Sequence, residues 1–199
     1  MSNYRRALIA SAIFAPVMLL VYYIHMRYFR VNVVLYASVL DVFVAVVLVG
    51  AVLSLRGFLS AMSGLERLLL FALWVATGYA FAVSVPTIID RSLSFYILEK
   101  LQQRGGGIRQ GRMKDVFVNE YMVEHHLVDI RLTEQLQSGT IEIHDGCVHL
   151  TPKGEFVASM GRFYRTHFLP RHRLLMGQYT DDLTDPFRHS TQNVDYRCE

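Results

Sequence analysis

Cysteine is nearly absent from this chain. Its 199 residues hold two, Cys147 and Cys198. Two thiols so far apart form no recognisable disulfide framework and no spaced metal pair, and they fit a reducing compartment. The motifs of nucleophilic catalysis are missing as well. There is no GxSxG, no histidine placed near a serine and an acid in a known order, and no carboxylate pair with a pocket to tune it. The one glycine-rich stretch, RGGGIRQGR at 104–112, lacks a GK[ST] ending and follows a helix, so it reads as a flexible connection and not as a phosphate loop. These absences argue against an enzyme. No catalytic residue, cofactor or metal ligand set is expected.

Charge is scarce in the first half. Up to Asp90 there are six arginines against Asp41, Glu66 and Asp90, with long apolar runs between them. Ala7 to Ile24 is apolar for 18 residues, interrupted by Ser11 and Pro16. At about 1.5 Å per residue it just spans a bilayer core, which leaves an interfacial helix as the alternative. Arg5, Arg6 and the HMRYFR that follows would lie at the two interfaces, with Tyr22, Tyr23, Tyr28 and Phe29 in the aromatic belt. The run flows into HMRYFR without a small-residue cleavage site, so it is an anchor and not a signal peptide.

Val31 to Leu55 forms the second span and Leu68 to Ile89 the third. With only His25–Arg30 between them, the first two spans predict a tight antiparallel hairpin. Asp41 lies well inside the second span. A carboxyl there is costly and is predicted to be a polar contact facing other helices, a proton or a ligand. The sequence supplies no second intramembrane charge for it, which points to a partner supplying one. The third span leaves the membrane through Asp90 and Arg91 and is predicted to continue unbroken as SLSFYILEKLQQR to Arg104, kinked near Pro86.

Three spans put the termini on opposite sides. Arg27, Arg30, Arg91, Lys100 and Arg104 lie on one side, against Arg5, Arg6, Arg56 and Arg67 on the other. Five against four favours a cytoplasmic C-terminal half by the positive-inside rule, and free thiols agree. The expected location is a bacterial inner membrane. Asp90, Arg91, Lys100 and Arg104 at the exit could receive a lipid phosphate or other anionic headgroups, although an ordinary basic anchor would look the same.

From Arg91 the composition is that of a soluble domain. Leu127–Ser138 (LVDIRLTEQLQS) has helical period and Gly139 stops it. TIEIHDGCVHLT then carries a two-residue hairpin signal at Asp145–Gly146, which pairs Ile143 with Val148 and Ile141 with Leu150. Thr151–Pro152 starts a further helix that runs to Pro170 with Phe156, Met160 and Phe163 on one stripe. The tail from Gln178 shows no clear period and is expected to be extended or disordered.

This order, with SLSFYILEKLQQRGG as first helix and RLTEQLQSGTIEIHDGCVHLTPKGE as recognition-helix position, wing and following helix, resembles the winged helix-turn-helix superfamily. The resemblance covers about residues 90–168. It implies an α+β winged-helix-like domain that binds DNA or protein. Binding to DNA requires a basic face. Here the recognition position holds Asp129 and Glu134 against Arg131, the wing holds Glu142, His144 and Asp145, and residues 113–156 carry eight acids against three bases. Nucleic acid is therefore not the expected partner. His144, Cys147 and His149 share one hairpin face, but three ligands fall short of the four well-spaced ones of a structural zinc site, so no metal is expected there.

The sequence thus predicts an α-helical membrane protein with three transmembrane helices (spans near 7–24, 31–55 and 68–89 within a membrane domain 1–89). A small α+β winged-helix-like cytoplasmic domain (90–168) and a tail (169–199) follow. Its expected role is a non-catalytic accessory subunit of a membrane-bound complex, in the cell envelope's glycan or lipid-linked precursor machinery. Asp129, Arg131, Glu134, Glu142 and His144 would dock a membrane-protein partner or a second copy of the chain. The alternatives are a membrane-tethered transcription regulator and a small enzyme or transporter acting on a lipid-phosphate headgroup.

Overall fold

Residues 2–188 and Cys198 are described by a computed structural model. The protein is mostly helical, 69%, with two small two-stranded sheets. Three helices are long and apolar enough to cross a membrane: α1 (Asn3–Tyr28), α2 (Val34–Leu55), and α3 (Gly64–Ser84) followed by α4 (Pro86–Arg91). These features are compatible with an integral membrane protein. The helices exceed the predicted first span at both ends, because Ser2 caps α1 by accepting from the Arg5 amide.

The chain divides into two compact units, residues 1–127 and 128–199. In the first, Phe14 of α1 stacks on Trp74 of α3 with ring centroids 4.8 Å apart. Around this pair lie Ala10, Met18, Val42, Ala45, Val49, Leu53 and Leu70. Gly78 lets α3 approach α2, since a β-carbon there would come within 2.3 Å of Val42 Cγ1. Polar fasteners are few and specific. The Trp74 indole donates to Ser11 Oγ (2.9 Å), Asn3 Nδ2 donates to both Glu66 oxygens, and Arg6 donates to the Phe58 carbonyl (2.8 Å). Glu66 also completes a capping box with Ser63 that opens α3.

The helix expected to run unbroken from Leu68 to Arg104 is broken twice. Pro86 cannot donate and disfavours helical geometry in the residue before it, so the axis is interrupted at Val85 (φ −108°, ψ −76°). The second break is at Ser92, which is extended and uses its hydroxyl to cap the next helix, α5 (Leu93–Gln103). After Gly105 and Gly106, both with positive φ, come a 3-10 turn at Gln110–Arg112, α6 (Met113–Val116), a π turn at Phe117–Tyr121 and α7 (Met122–Glu124). Tyr96, Val116 and Tyr121 form a second small core there, flanked by Ile108, Phe117 and Leu127.

The other unit takes in most of α8 (Leu127–Ser138), the hairpin β1 (Ile141–His144) and β2 (Cys147–Leu150), α9 (Pro152–Phe168), and a second hairpin, β3 (Arg173–Leu175) and β4 (Gln178–Thr180). The first hairpin has the predicted register, Ile141 opposite Leu150 and Ile143 opposite Val148, turning through Asp145 and Gly146 at positive φ. Thr151 caps α9 by accepting from the Gly154 amide. At the start of the tail, expected to be extended or disordered, Gln178–Thr180 is extended as one strand of the second hairpin. Met176 and Gly177, both at positive φ, make a tight turn, and Arg188 then binds Asp181 and Asp182. The rest of the predicted extended tail, 189–197, lies outside the described residues.

Gly154 shows how closely α9 meets the connection between α8 and β1. A β-carbon there would lie 1.9 Å from the Thr140 carbonyl oxygen, whereas at Gly161 it would meet nothing within 4 Å. Gly154→Ala should therefore cost about 1–3 kcal/mol by overpacking. Gly161→Ala should gain about 0.5–1 kcal/mol of helix stability. Hydrogen exchange of the 128–168 amides in the full-length protein would reveal this opposite pair of effects.

Candidate functional site

Asp41 sits in the second turn of α2 and is buried, its side chain 4% exposed. Its Oδ1 lies 2.6 Å from Nδ1 of His25, in the last turns of α1. The expected lack of an intramembrane partner is thus overturned: the chain supplies its own. A hairpin whose turn spans 29–33 places a residue just before the turn beside one in the next helix, and that register was the available signal. Tyr22, one turn earlier on α1, lies within electrostatic reach of both Asp41 and Asp90. Asp41 Oδ2 is buried and accepts no hydrogen bond. A cleft of about 320 Å³ beside the pair is lined by His25 and Asp41 together with Val21, Ile24, Phe29, Leu40 and Val44.

The residues expected to meet headgroups lie on two helices, α4 and α5, with Arg104 as the C-cap of α5. Asp90 is exposed and Arg91 half-buried, both on α4. Lys100 is 5% exposed and points inward, its Nζ 2.7 Å from Glu120 Oε2 and 2.7 Å from Glu124 Oε1. Tyr96 donates to Glu124 Oε2 (3.0 Å), and Arg104 donates to both Glu120 oxygens. Lys100 and Arg104 are four residues apart, as are Glu120 and Glu124, and this matched spacing was visible in the sequence though unused. The basic surface that remains is a cleft of about 440 Å³ whose lining includes Arg104, Arg109, Arg112 and Asn119. Arg112 is paired with Asp115 at 3.0 Å.

The predicted docking residues lie on two elements. Arg131 pairs with Glu134 (2.8 Å) within α8, where Asp129 precedes them. Glu142 and His144 approach to 3.4 Å on β1. Most of the unit's apolar side chains face outward. Among its described residues only Thr140 and Gly154 are buried. Phe156, Met160 and Phe163 on α9 are 68%, 53% and 55% exposed. Val148 and Leu150 on β2 are exposed as well.

The two cysteines are bonded to each other across a separation of 51 residues, with Cα atoms 6.0 Å apart. This corrects the expectation of free thiols and removes their support for a reducing compartment. Disulfides persist in oxidising ones. His149 lies beside the bond, with candidate ligand atoms of Cys147, His149 and Cys198 all within 4.8 Å. His144, weighed earlier as a ligand, is not in this group. Sulfurs spent on a disulfide are not thiolate ligands.

No protein family, curated protein or solved structure matches this chain.

The Lys100 network gives a pH dependence with a definite sign. Lys100 first holds the Glu120 and Glu124 carboxyls below their usual range; the two glutamates in turn raise the Lys100 ammonium. A lowered carboxyl contributes stability above its unfolded value and loses it as pH falls through the folded one. The thermal midpoint should therefore hold steady around neutrality and drop below about pH 4. Lys100→Met should shrink that acid step, as read by circular dichroism across a pH series.

Proposed function

We propose that the chain is a membrane-anchored, non-catalytic accessory subunit whose unit 128–199 docks a protein partner. The observation that carries this reading is the near absence of a core in that unit. A domain of this size normally folds by burying more than half of its chain's surface. Here Phe156, Met160 and Phe163 form an uncovered stripe at helical spacing on α9, beside the exposed Val148 and Leu150 of the hairpin. Apolar surface of this kind marks a place where another protein sits. The order helix, hairpin, helix supports the resemblance to winged helices, many of which bind proteins. The acid excess of 113–156 suits a partner with a basic rim around an apolar groove and disfavours a duplex.

The expected cytoplasmic placement of 91–199 rested on a five-to-four charge count and on free thiols. A disulfide weighs more than a single charge, so our reading places the C-terminal unit on an oxidising side of the membrane. Maleimide labelling of the unreduced protein, made directly from growing cells, checks this. Labelling should appear only after reduction; immediate labelling of both cysteines would restore the reducing side.

The docking reading is checked by purifying tagged full-length protein in mild detergent and identifying what stays bound by mass spectrometry. A membrane-protein partner should co-purify in stoichiometric amount. Phe156→Asp and Phe163→Asp, both at exposed positions, should each weaken its retention roughly tenfold or more. Retention unchanged in both variants would sink the reading. So would a gel shift of duplex DNA by the full-length protein with a steep salt slope.

A further inference from the structure

The second hairpin, β3 and β4, lies outside the α9 stripe and plays no part in the docking reading. We propose that its tip inserts into an anionic lipid surface. Leu174, Met176 and Tyr179 enter the boundary between headgroups and acyl chains, and Arg171 and Arg173 take the phosphates. Met176 stands at the apex of the turn, 85% exposed and at positive φ. Leu174 and Tyr179 oppose each other across the strands and share one face, both exposed. Leu175, on the other face, is exposed as well. The hairpin is thus apolar on both faces and at its apex. A protein groove covers one face, whereas lipid surrounds a tip.

Charge selects the kind of lipid. Residues 157–178 hold four arginines and no acid. The acids that follow β4 are neutralised locally: Arg188 donates to Asp181 and Asp182, and Arg162 lies 3.7 Å from Asp185. Among the described residues no acid pairs with Arg171 or Arg173. Thr184 Oγ1 donates to the Arg171 carbonyl (3.1 Å) and steadies the base of the hairpin. At about 3.3 Å per residue, Arg173 stands about 10 Å back from the apex. Interfacial segments sink about 5–10 Å, so the arginines reach the phosphates when Met176 meets acyl chains. Tyr179 then lies at the level where an aromatic ring with a hydroxyl is favoured. Three helices of the same chain are long and apolar enough to cross a membrane. When they do, the tether keeps lipid at high local concentration around the hairpin, and a small tip suffices.

The test uses the full-length protein in nanodiscs whose phospholipids carry a diazirine on one acyl chain, with labelled peptides read by mass spectrometry. The discs hold phosphatidylcholine alone or an equimolar mixture with phosphatidylglycerol. Label on α1, α2 and α3 serves as the reference in both. Residues 173–180 should take roughly tenfold or more label in the mixed discs than in the zwitterionic ones. Arg171→Gln and Arg173→Gln should each lower that label about fivefold, and raised salt should lower it too. Arg171 lies outside both strands, which covers the case in which a strand substitution disturbs the hairpin. Phe156→Asp, which tests docking, should leave the hairpin label unchanged. Equal label in the two kinds of disc, or label unaltered in both arginine variants, would overturn the proposal. So would label confined to the long helices, or a second protein chain crosslinked through residues 173–180 in place of lipid.

Discussion

A polar side chain among apolar helices must find its hydrogen-bond partner inside the protein, and the three long apolar helices of this chain are arranged by that demand. Apolar contacts alone distinguish poorly between helix registers, because lipid tails are as apolar as the neighbouring helix. The polar contacts distinguish well. Trp74 on Ser11 fixes α3 against α1, and the stacked Phe14 ring follows from that placement. Asn3 and Arg6 tie the start of α1 to Glu66 and to the loop at Phe58. His25 on Asp41 fixes the other end of the hairpin. Each fastener joins residues far apart in sequence, so together they hold three helices that hydrophobicity would only gather.

The remainder of unit 1 solves the same demand with charge. Lys100 is an inward-pointing cation whose cost is met by two glutamates and shared with Arg104. The aromatic rings of Tyr96 and Tyr121, with centroids 4.6 Å apart, lie beside that cluster and give α5 and the π turn a common surface. Among its described residues the C-terminal unit has no such centre. Its order comes from local devices instead: the cap at Thr151, the turn at Asp145–Gly146, and bonds that converge on the backbone of 138–140. Thr151 Oγ1 donates to the Gly139 carbonyl and Lys153 Nζ to the Ser138 carbonyl, which holds α9 to the end of α8 without any apolar interior.

What the sequence made legible was local. The three apolar runs, the Asp145–Gly146 hairpin with its register and the Thr151–Pro152 helix start all depend on residues close together in the chain. Ser92 was legible in principle, since a serine before an apolar helical run is a cap, but the apolar period on either side masked it. The pairings that define the site were harder to see. His25 and Asp41 lie on different helices, and Lys100 meets Glu120 across a glycine-rich connection whose course no pattern specifies. The disulfide was the least visible, because two cysteines without a framework carry no information about distance in space. The stripe on α9 was legible from its spacing, but not its exposure. Periodicity marks a face to be covered and does not say by what.

The bond between Cys147 and Cys198 closes a covalent ring, and α9 and the second hairpin lie within it. By loop-closure entropy, a ring of this length removes about 4 kcal/mol worth of freedom from the unfolded chain. For a unit without an interior, that is a large share of what can hold it in shape. It also means that a single peptide-bond cut within the ring leaves one covalently connected molecule. The uncovered α9 stripe would then stay joined to the first hairpin, and through it to the rest of the chain, until the sulfurs are reduced.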